Sequence, residues 1–443
     1  MNKFENPDTK DTVNKTASHE APTRDAVFGE ITEEGPNYRN VGFLGTVILM
    51  MKTQIGLGAL AVPTAFDSLG IVPGVICLCA VACITTWSNY VIGTFKLNHP
   101  GVYGIDDAGE LILGRFGRMI LSAAFCLFSS HGACTAIFIA ISAILGFVFA
   151  SVRTLGRITW LAWIGLPCIL TAILIVTVAV GIQDRPAAAP QTGSVWVSDF
   201  KILGQPSFTQ GITAVSSLVF AFSGTPGFFS IVSEMRDPKQ YTSALLICQF
   251  GVTAIYTVIG CVVYYYCGSY VASPALGSAG GTVKKISYGF ALPGLIVTMT
   301  IVSHIPAKYI FVHLLRGSRH LNSNSLTHWV VWLSCTFGVV IIAYIIASAI
   351  PVFDSLVSLI GALLGTLMSF QPMGGMWLYD NWKTDGGKSK RWYFMVCWSI
   401  LVIAVGSFLT VAGTYGSVVG VIESYNASGG SSAFSCADNS NSS

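Results

Sequence analysis

Ionised side chains inside long apolar runs are the first candidates for chemistry in this 443-residue sequence, because a charge buried in hydrocarbon is expensive to keep. Lys52 follows Val41, where the first run begins; at 1.5 Å of rise per residue it sits ~16 Å deep, near mid-membrane. It is either a gating or coupling group or a lysine reaching back to water. His304 and Lys308 are spaced to share one helical face, with Pro306 between them loosening the backbone. His304 can relay a proton or simply pack, and Lys308 is expected to snorkel towards its end of the span. Glu234 and Asp237 close another run beside Arg236 and Lys239, as a solvated ion-paired cap or as an inner gate. Thr298, Thr300 and Ser303 offer hydroxyls that can help hold a cation, or that can bond within their own helix. His131 reads as an interfacial residue at a turn.

Other chemistries are missing from the pattern. There is no HExxH, no GxSxG and no pair of mid-span aspartates, which excludes the familiar intramembrane hydrolases. No catalytic residue, metal site or cofactor is expected. The 12 cysteines form neither CxxC pairs nor clusters with zinc spacing and read as small lipid-compatible side chains. No TVGYG-like carbonyl filter suggests a channel.

Two runs carry what a lipid-exposed helix avoids. Thr53-Gln54-Ile55-Gly56-Leu57-Gly58-Ala59, continuing to Pro63, lies about halfway through the first; Ala221-Phe222-Ser223-Gly224-Thr225-Pro226-Gly227-Phe228 lies at similar depth in the sixth. Non-helical backbone at that depth persists only where protein or a watery cavity satisfies the freed groups. Breaks in corresponding spans of two halves point to an inverted-repeat transporter. A half-helix amino terminus there attracts an anion and unwound carbonyls attract a cation or ammonium; an amino-acid zwitterion satisfies both. Its carboxylate is expected at the NH groups of Gly56 to Ala59, and its ammonium at carbonyls around Phe222 to Gly224. Phe222, Phe228 and Phe229 either shape a side-chain pocket or pack. Gly361 and Gly365, four apart, read as a close helix contact.

The elements that must position these residues are membrane spans. The chain is 53% hydrophobic and only 10% charged, with a mean hydropathy of +0.65, against roughly 25% charged in soluble domains. Its 24 Lys and Arg against 21 Asp and Glu leave a net charge of +3, no basis for nucleic-acid binding. Residues 1–40 read as a disordered cytoplasmic tail, 41–418 as the membrane domain and 419–443 as a polar extracytoplasmic tail. Apolar runs fall at 42–66, 71–95, 119–152, 158–182, 211–232, 243–267, 288–315, 328–350, 355–378 and 392–418. With the amino terminus inside, the basic loops at 96–118 and 233–240 are both cytoplasmic, so an even number of crossings separates them. Residues 119–152 then supply two spans, with a break near His131. That makes eleven spans and an external carboxyl terminus, on which Asn426-Ala-Ser and Asn441-Ser-Ser form possible glycosylation sequons.

Several motifs resemble one family. Gly35-Pro36-Asn37-Tyr38-Arg39-Asn40-Val41-Gly42, Met51-Lys52-Thr53-Gln54-Ile55-Gly56-Leu57-Gly58, Val180-Gly181-Ile182-Gln183-Asp184-Arg185-Pro186, Ser233-Glu234-Met235-Arg236-Asp237-Pro238 and Lys308-Tyr309-Ile310-Phe311-Val312 are similar to those of the amino acid/auxin permeases. The resemblance is to the fungal neutral amino acid permeases of the methyltryptophan-resistance type. It implies an all-α membrane protein, a five-plus-five inverted-repeat bundle of the LeuT-like APC superfamily with about eleven transmembrane helices, helices 1 and 6 discontinuous. It also implies proton-coupled symport of neutral, possibly aromatic, amino acids, with sodium the lesser candidate and the plasma membrane favoured over the vacuole. One departure stands out. Leu127-Phe128 runs almost directly into Ser130-His131-Gly132-Ala133-Cys134-Thr135, where relatives look longer, so a helix lining the site is shortened. A non-transporting amino-acid sensor, or a transport-defective variant, is the alternative this raises.

Overall fold

The structure is a computed structural model. It describes residues 40–128, 136–190, 196–349, 353–382 and 389–428, with Arg24, Asp25, Val27, Gly29, Glu30 and Tyr38 ahead of them. Apart from a hairpin of two-residue strands, Arg24–Asp25 and Gly29–Glu30, the described chain is helical. In order the α-helices are α1 (Phe43–Gln54), α2 (Leu57–Leu69), α3 (Ile71–Asn98), α4 (Ile105–Phe128), α5 (Ala136–Ala150), α6 (Leu155–Ile182), α7 (Phe208–Ala221), α8 (Thr225–Glu234), α9 (Tyr241–Cys267), α10 (Gly281–Leu315), α11 (Leu326–Ala349), α12 (Phe353–Ile360), α13 (Thr366–Ser369), α14 (Gln371–Asn381) and α15 (Lys390–Ser428).

Among the described residues 8 helices are long and apolar enough to cross a membrane, or 9 with the bent pair α1–α2 taken as one span. α4 and α5 stand where two further spans were expected, on either side of residues 129–135, and their described residues are not among those that meet that length and apolarity. α4 is described over 24 residues, with Gly114 at φ 65° breaking it into an amino-terminal arm and a rod. α5 is described over 15 residues, from Ala136. The turn expected near His131 lies outside the described residues. α15 continues to Ser428, into the stretch expected as a tail, and carries Asn426 in its final turn.

Side-chain contacts gather the helix ends onto two faces. On the face where the chain enters α1, Arg316 bonds Asp107, Asn98 bonds Asp380, Arg153 bonds Asn324, and Arg236 bonds Asn40. Gln183 meets Ser278 and Asp199 meets Ser269 on the opposite face. The first half therefore begins on one face and the second, from α7, on the other. α15 is an addition packed along α7.

The opposite face is closed over the α2–α3 turn by residues 196–207. Gly70 turns there at φ 86°, with the Gly204 amide donating to the Leu69 carbonyl at 2.8 Å. A Cβ on Gly204 would lie 2.4 Å from Leu69 backbone. The amides of Ile71 and Val72, which open α3 and have no partner within it, donate to the carbonyls of Lys201 and Ile202, each at 3.0 Å. α7 starts from a reciprocal cap between Ser207 and Gln210.

A third irregularity sits opposite the sixth span. Residues Gly361–Gly365 form a π-helical turn against α7, as the small-residue spacing anticipated. A Cβ on Gly361 would fall 2.1 Å from the Ser216 carbonyl oxygen. Gly361→Ala is therefore expected to lower stability by about 1–3 kcal/mol through overpacking, read as a lower unfolding midpoint in detergent. The outer segment should respond to acid. Burial opposes ionisation of Asp199, but the Ser269 hydroxyl and amide outweigh it and hold the carboxyl below its ordinary value. A lowered folded value means the contact stabilises above the unfolded carboxylate range and is lost as pH falls through that lowered value. Proteolysis of segment 196–207 should accelerate at acid pH in the native chain, and be pH-independent in Asp199→Asn apart from the protease's own profile.

Candidate functional site

Helices α1 and α2 are separated only by Ile55 and Gly56 and bend by 46°. Ile55 ends α1 in an extended conformation and Gly56 caps α2 without any side-chain hydrogen bond. In the sixth span Phe222 to Gly224 form a three-residue turn between α7 and α8, and Gly224 likewise caps α8 with no side-chain bond. The two breaks touch. A Cβ on Gly58 would lie 2.6 Å from the Ala221 Cα, and one on Gly224 would lie 2.6 Å from Thr53 Oγ1. The glycines are what let the half-helices approach this closely.

Tyr256 of α9 joins them. Its hydroxyl lies 2.7 Å from the Gln54 carbonyl and 2.9 Å from the Ala221 carbonyl, the last residues of α1 and α7. A hydroxyl has one hydrogen, so it serves one of these carbonyls at a time. Its ring meets Phe222 edge-on at 5.1 Å. Nothing in the sequence singled out Tyr256; only the fold brings α9 behind both breaks. Nearby, Gln54 Oε1 and Thr225 Oγ1 are buried polar atoms with no hydrogen-bond partner in the protein.

Lys52 does not snorkel. It is 0% exposed, and its Nζ donates to the Ile55 carbonyl at 3.1 Å and to Thr298 Oγ1 of α10. Thr298 in turn donates to the Gly294 carbonyl, while Thr300 bonds only Ile296 of its own helix, so the two threonines part company. His304 is buried with Nδ1 3.2 Å from the Ala150 carbonyl and its ring against Trp332. A carbonyl accepts only, so Nδ1 carries the proton, and Nε2 is left buried without a partner. Phe222, Phe228 and Phe229 are all fully buried.

Lys308 departs from expectation more sharply. Rather than reaching for water it is 1% exposed and pairs with Glu234 at 2.5 Å, since α8 ends where α10 passes. Glu234 also accepts the Leu155 amide at 3.3 Å, and Lys308 lies 4.3 Å from the Tyr38 ring centroid. Just outside, Val41 donates to the Glu234 carbonyl and accepts from the Arg236 amide. Asp237, by contrast, is the solvated cap, bonding the amide of Lys239 and the side chain of Gln240. Asp106, Asp107 and His313 bring ligand atoms within 4.8 Å of one another. Arg118 and Arg316 already hold Asp107, and their charge opposes a metal ion there.

Removing one partner of the buried pair leaves an uncompensated charge, so Lys308→Met should cost about 3–5 kcal/mol. Adding Glu234→Gln to it should recover most of that loss in the same unfolding measurement.

Comparison with known proteins agrees with this architecture. The family model for transmembrane amino acid transporter proteins matches residues 39–136 and 126–419, two stretches that overlap at 126–136. A transmembrane transporter of Gibberella moniliformis is 34% identical, over 98% of this chain and 96% of its own. The N amino acid transport system protein of Neurospora crassa is 30% identical over 92% and 91%. An Arabidopsis thaliana amino acid transporter, AVT1H, is 27% identical over 54% of this chain and 57% of its own. Among solved structures, a sodium-coupled sialic acid symporter in a substrate-bound outward-open state superposes with a TM-score of 0.54 over 87% of this chain and 92% of that one, at 12% identity, a likeness of fold. The chain belongs to the transmembrane amino acid transporter family.

Proposed function

We propose that this protein is a secondary active transporter that carries neutral amino acids, aromatic ones among them, together with protons by alternating access. The observation that carries the reading is the meeting of two broken helices whose uncapped ends face each other at buried depth. The substrate carboxylate binds the first amides of α2, Gly56 to Ala59. Its ammonium binds carbonyls at the end of α7 and in the turn Phe222 to Gly224, where it competes with the single hydrogen of Tyr256. In this conformer Gly58 lies against Ala221, so loading requires α2 and α7 to separate.

The amino-terminal face is the cytoplasmic one in this reading, and the plasma membrane is the site of action. Glu234, Lys308 and Tyr38 form the inner gate. Their contacts tie α8, α10, the start of α6 and the segment before α1 together, which is a shut state of that gate. Opening it must break a buried ion pair, so the gate is a stable latch rather than a loose one.

The Neurospora crassa and Arabidopsis thaliana relatives are named as amino acid transport proteins, which supports the substrate class. A receptor that binds amino acid without moving it is the second reading. Purified protein in vesicles with labelled L-phenylalanine tests both. Saturable uptake is expected, competed by other neutral amino acids and abolished by collapsing the pH gradient. Competition by no amino acid overturns the substrate assignment, and saturable binding without uptake selects the receptor.

A further inference from the structure

We propose that Lys52 is the group that takes up the coupled proton, and that the carboxylate of the bound amino acid is its missing counter-ion. The inference rests on the amino-acid reading above and deepens it by naming the proton's seat and its link to the substrate.

Lys52 is wholly buried, yet its two partners are neutral, the Ile55 carbonyl and the Thr298 hydroxyl. An ammonium without an anion is costly to keep away from water, whereas a neutral amine is not. Among the described residues no carboxylate pairs with it. α8 supplies Glu234, but that group is engaged by Lys308. From α6 the titratable neighbour is Cys168; α9 offers Cys248 and Tyr256, and α10 offers His304 and Lys308, none of them an anion that could compensate a charge on Lys52. The empty protein therefore favours the neutral amine.

The substrate changes that balance. Two residues beyond Lys52's helix begins α2, whose first amides have no side-chain cap and form the positive end of a helix dipole. A carboxylate drawn there arrives beside the Ile55 turn on which Lys52 already rests. Two independent orphans mark the same place as built for a ligand, the buried Gln54 Oε1 and Thr225 Oγ1. With the carboxylate present, one proton moves from solution to Nζ of Lys52, giving a neutral ion pair, and no bond of the substrate is made or broken. Release of the substrate on the other side withdraws the counter-ion and the proton leaves with it. The ammonium also occupies the carbonyl-and-hydroxyl seat between α1 and α10 that a metal cation would take, so sodium is not required.

Substrate and proton are then linked reciprocally. Calorimetric titration of the purified full chain with L-phenylalanine, in buffers of different protonation heat, reads the protons taken up per substrate. Scanned from about pH 6 to about pH 9, uptake should approach about one proton at its maximum, and the Kd should tighten up to about tenfold per unit fall in pH in that window. L-Phenylalaninol, which keeps the ammonium and ring but has no carboxylate, should take up none at Lys52. Lys52→Met should bind L-phenylalanine more weakly and without proton uptake. Thr298→Val keeps the amine but removes one acceptor of its charged form, so its uptake window should move to lower pH. Binding by the native chain without proton uptake at every pH overturns the proposal, even if Lys52→Met does not fold. Full uptake persisting in Lys52→Met, an unmoved window in Thr298→Val, or a sodium requirement for L-phenylalanine binding overturns it as well. Absence of binding by L-phenylalanine and every other neutral amino acid defeats the amino-acid reading itself, a different and separable result.

Discussion

Backbone groups freed in the middle of two spans must find partners where water is scarce, and most of the architecture answers that demand. Two glycine-bearing turns are held face to face because α9 stands behind them and lends both a single tyrosine hydroxyl. That arrangement is under-supplied by design of its atoms, with one hydrogen for two carbonyls.

Charge is partitioned with similar economy. Two lysines buried in spans, Lys52 and Lys308, have opposite circumstances: Lys308 owns a carboxylate, Lys52 bonds only a carbonyl and a hydroxyl. The first of these side chains, Lys308, is compensated within the protein, which supplies both charges of the pair. The second, Lys52, sits at the only bend in the first span and is bonded to that bend's carbonyl, so anything that alters its charge is felt by the backbone that defines the binding region. The two lysines stand on separate helices, linked through α10, which carries both Thr298 and Lys308.

The span pattern and the two breaks were legible because glycine, proline and unbroken apolar runs state backbone facts directly. Charge parity likewise asked for an even number of crossings between two basic loops. What could not be read was lateral. Lys308 looked like a snorkelling lysine because its partner lies 74 positions away, and Tyr256 looked like one more aromatic in a hydrophobic stretch. The division between Thr298 and Thr300 follows from which side of α10 faces α1, a rotation that spacing alone leaves open. The π-helical turn at Gly361–Gly365 was visible only as a small-residue spacing, since its widened hydrogen bonding has no residue code.

The length of α10 has a bearing on the lipid as well as on the protein. Its 35 residues make ~52 Å of helix against ~30 Å of acyl chain, so it must lean or reach past the hydrocarbon at its ends. Such an excess lets one rod suit bilayers of different thickness by a change of tilt alone.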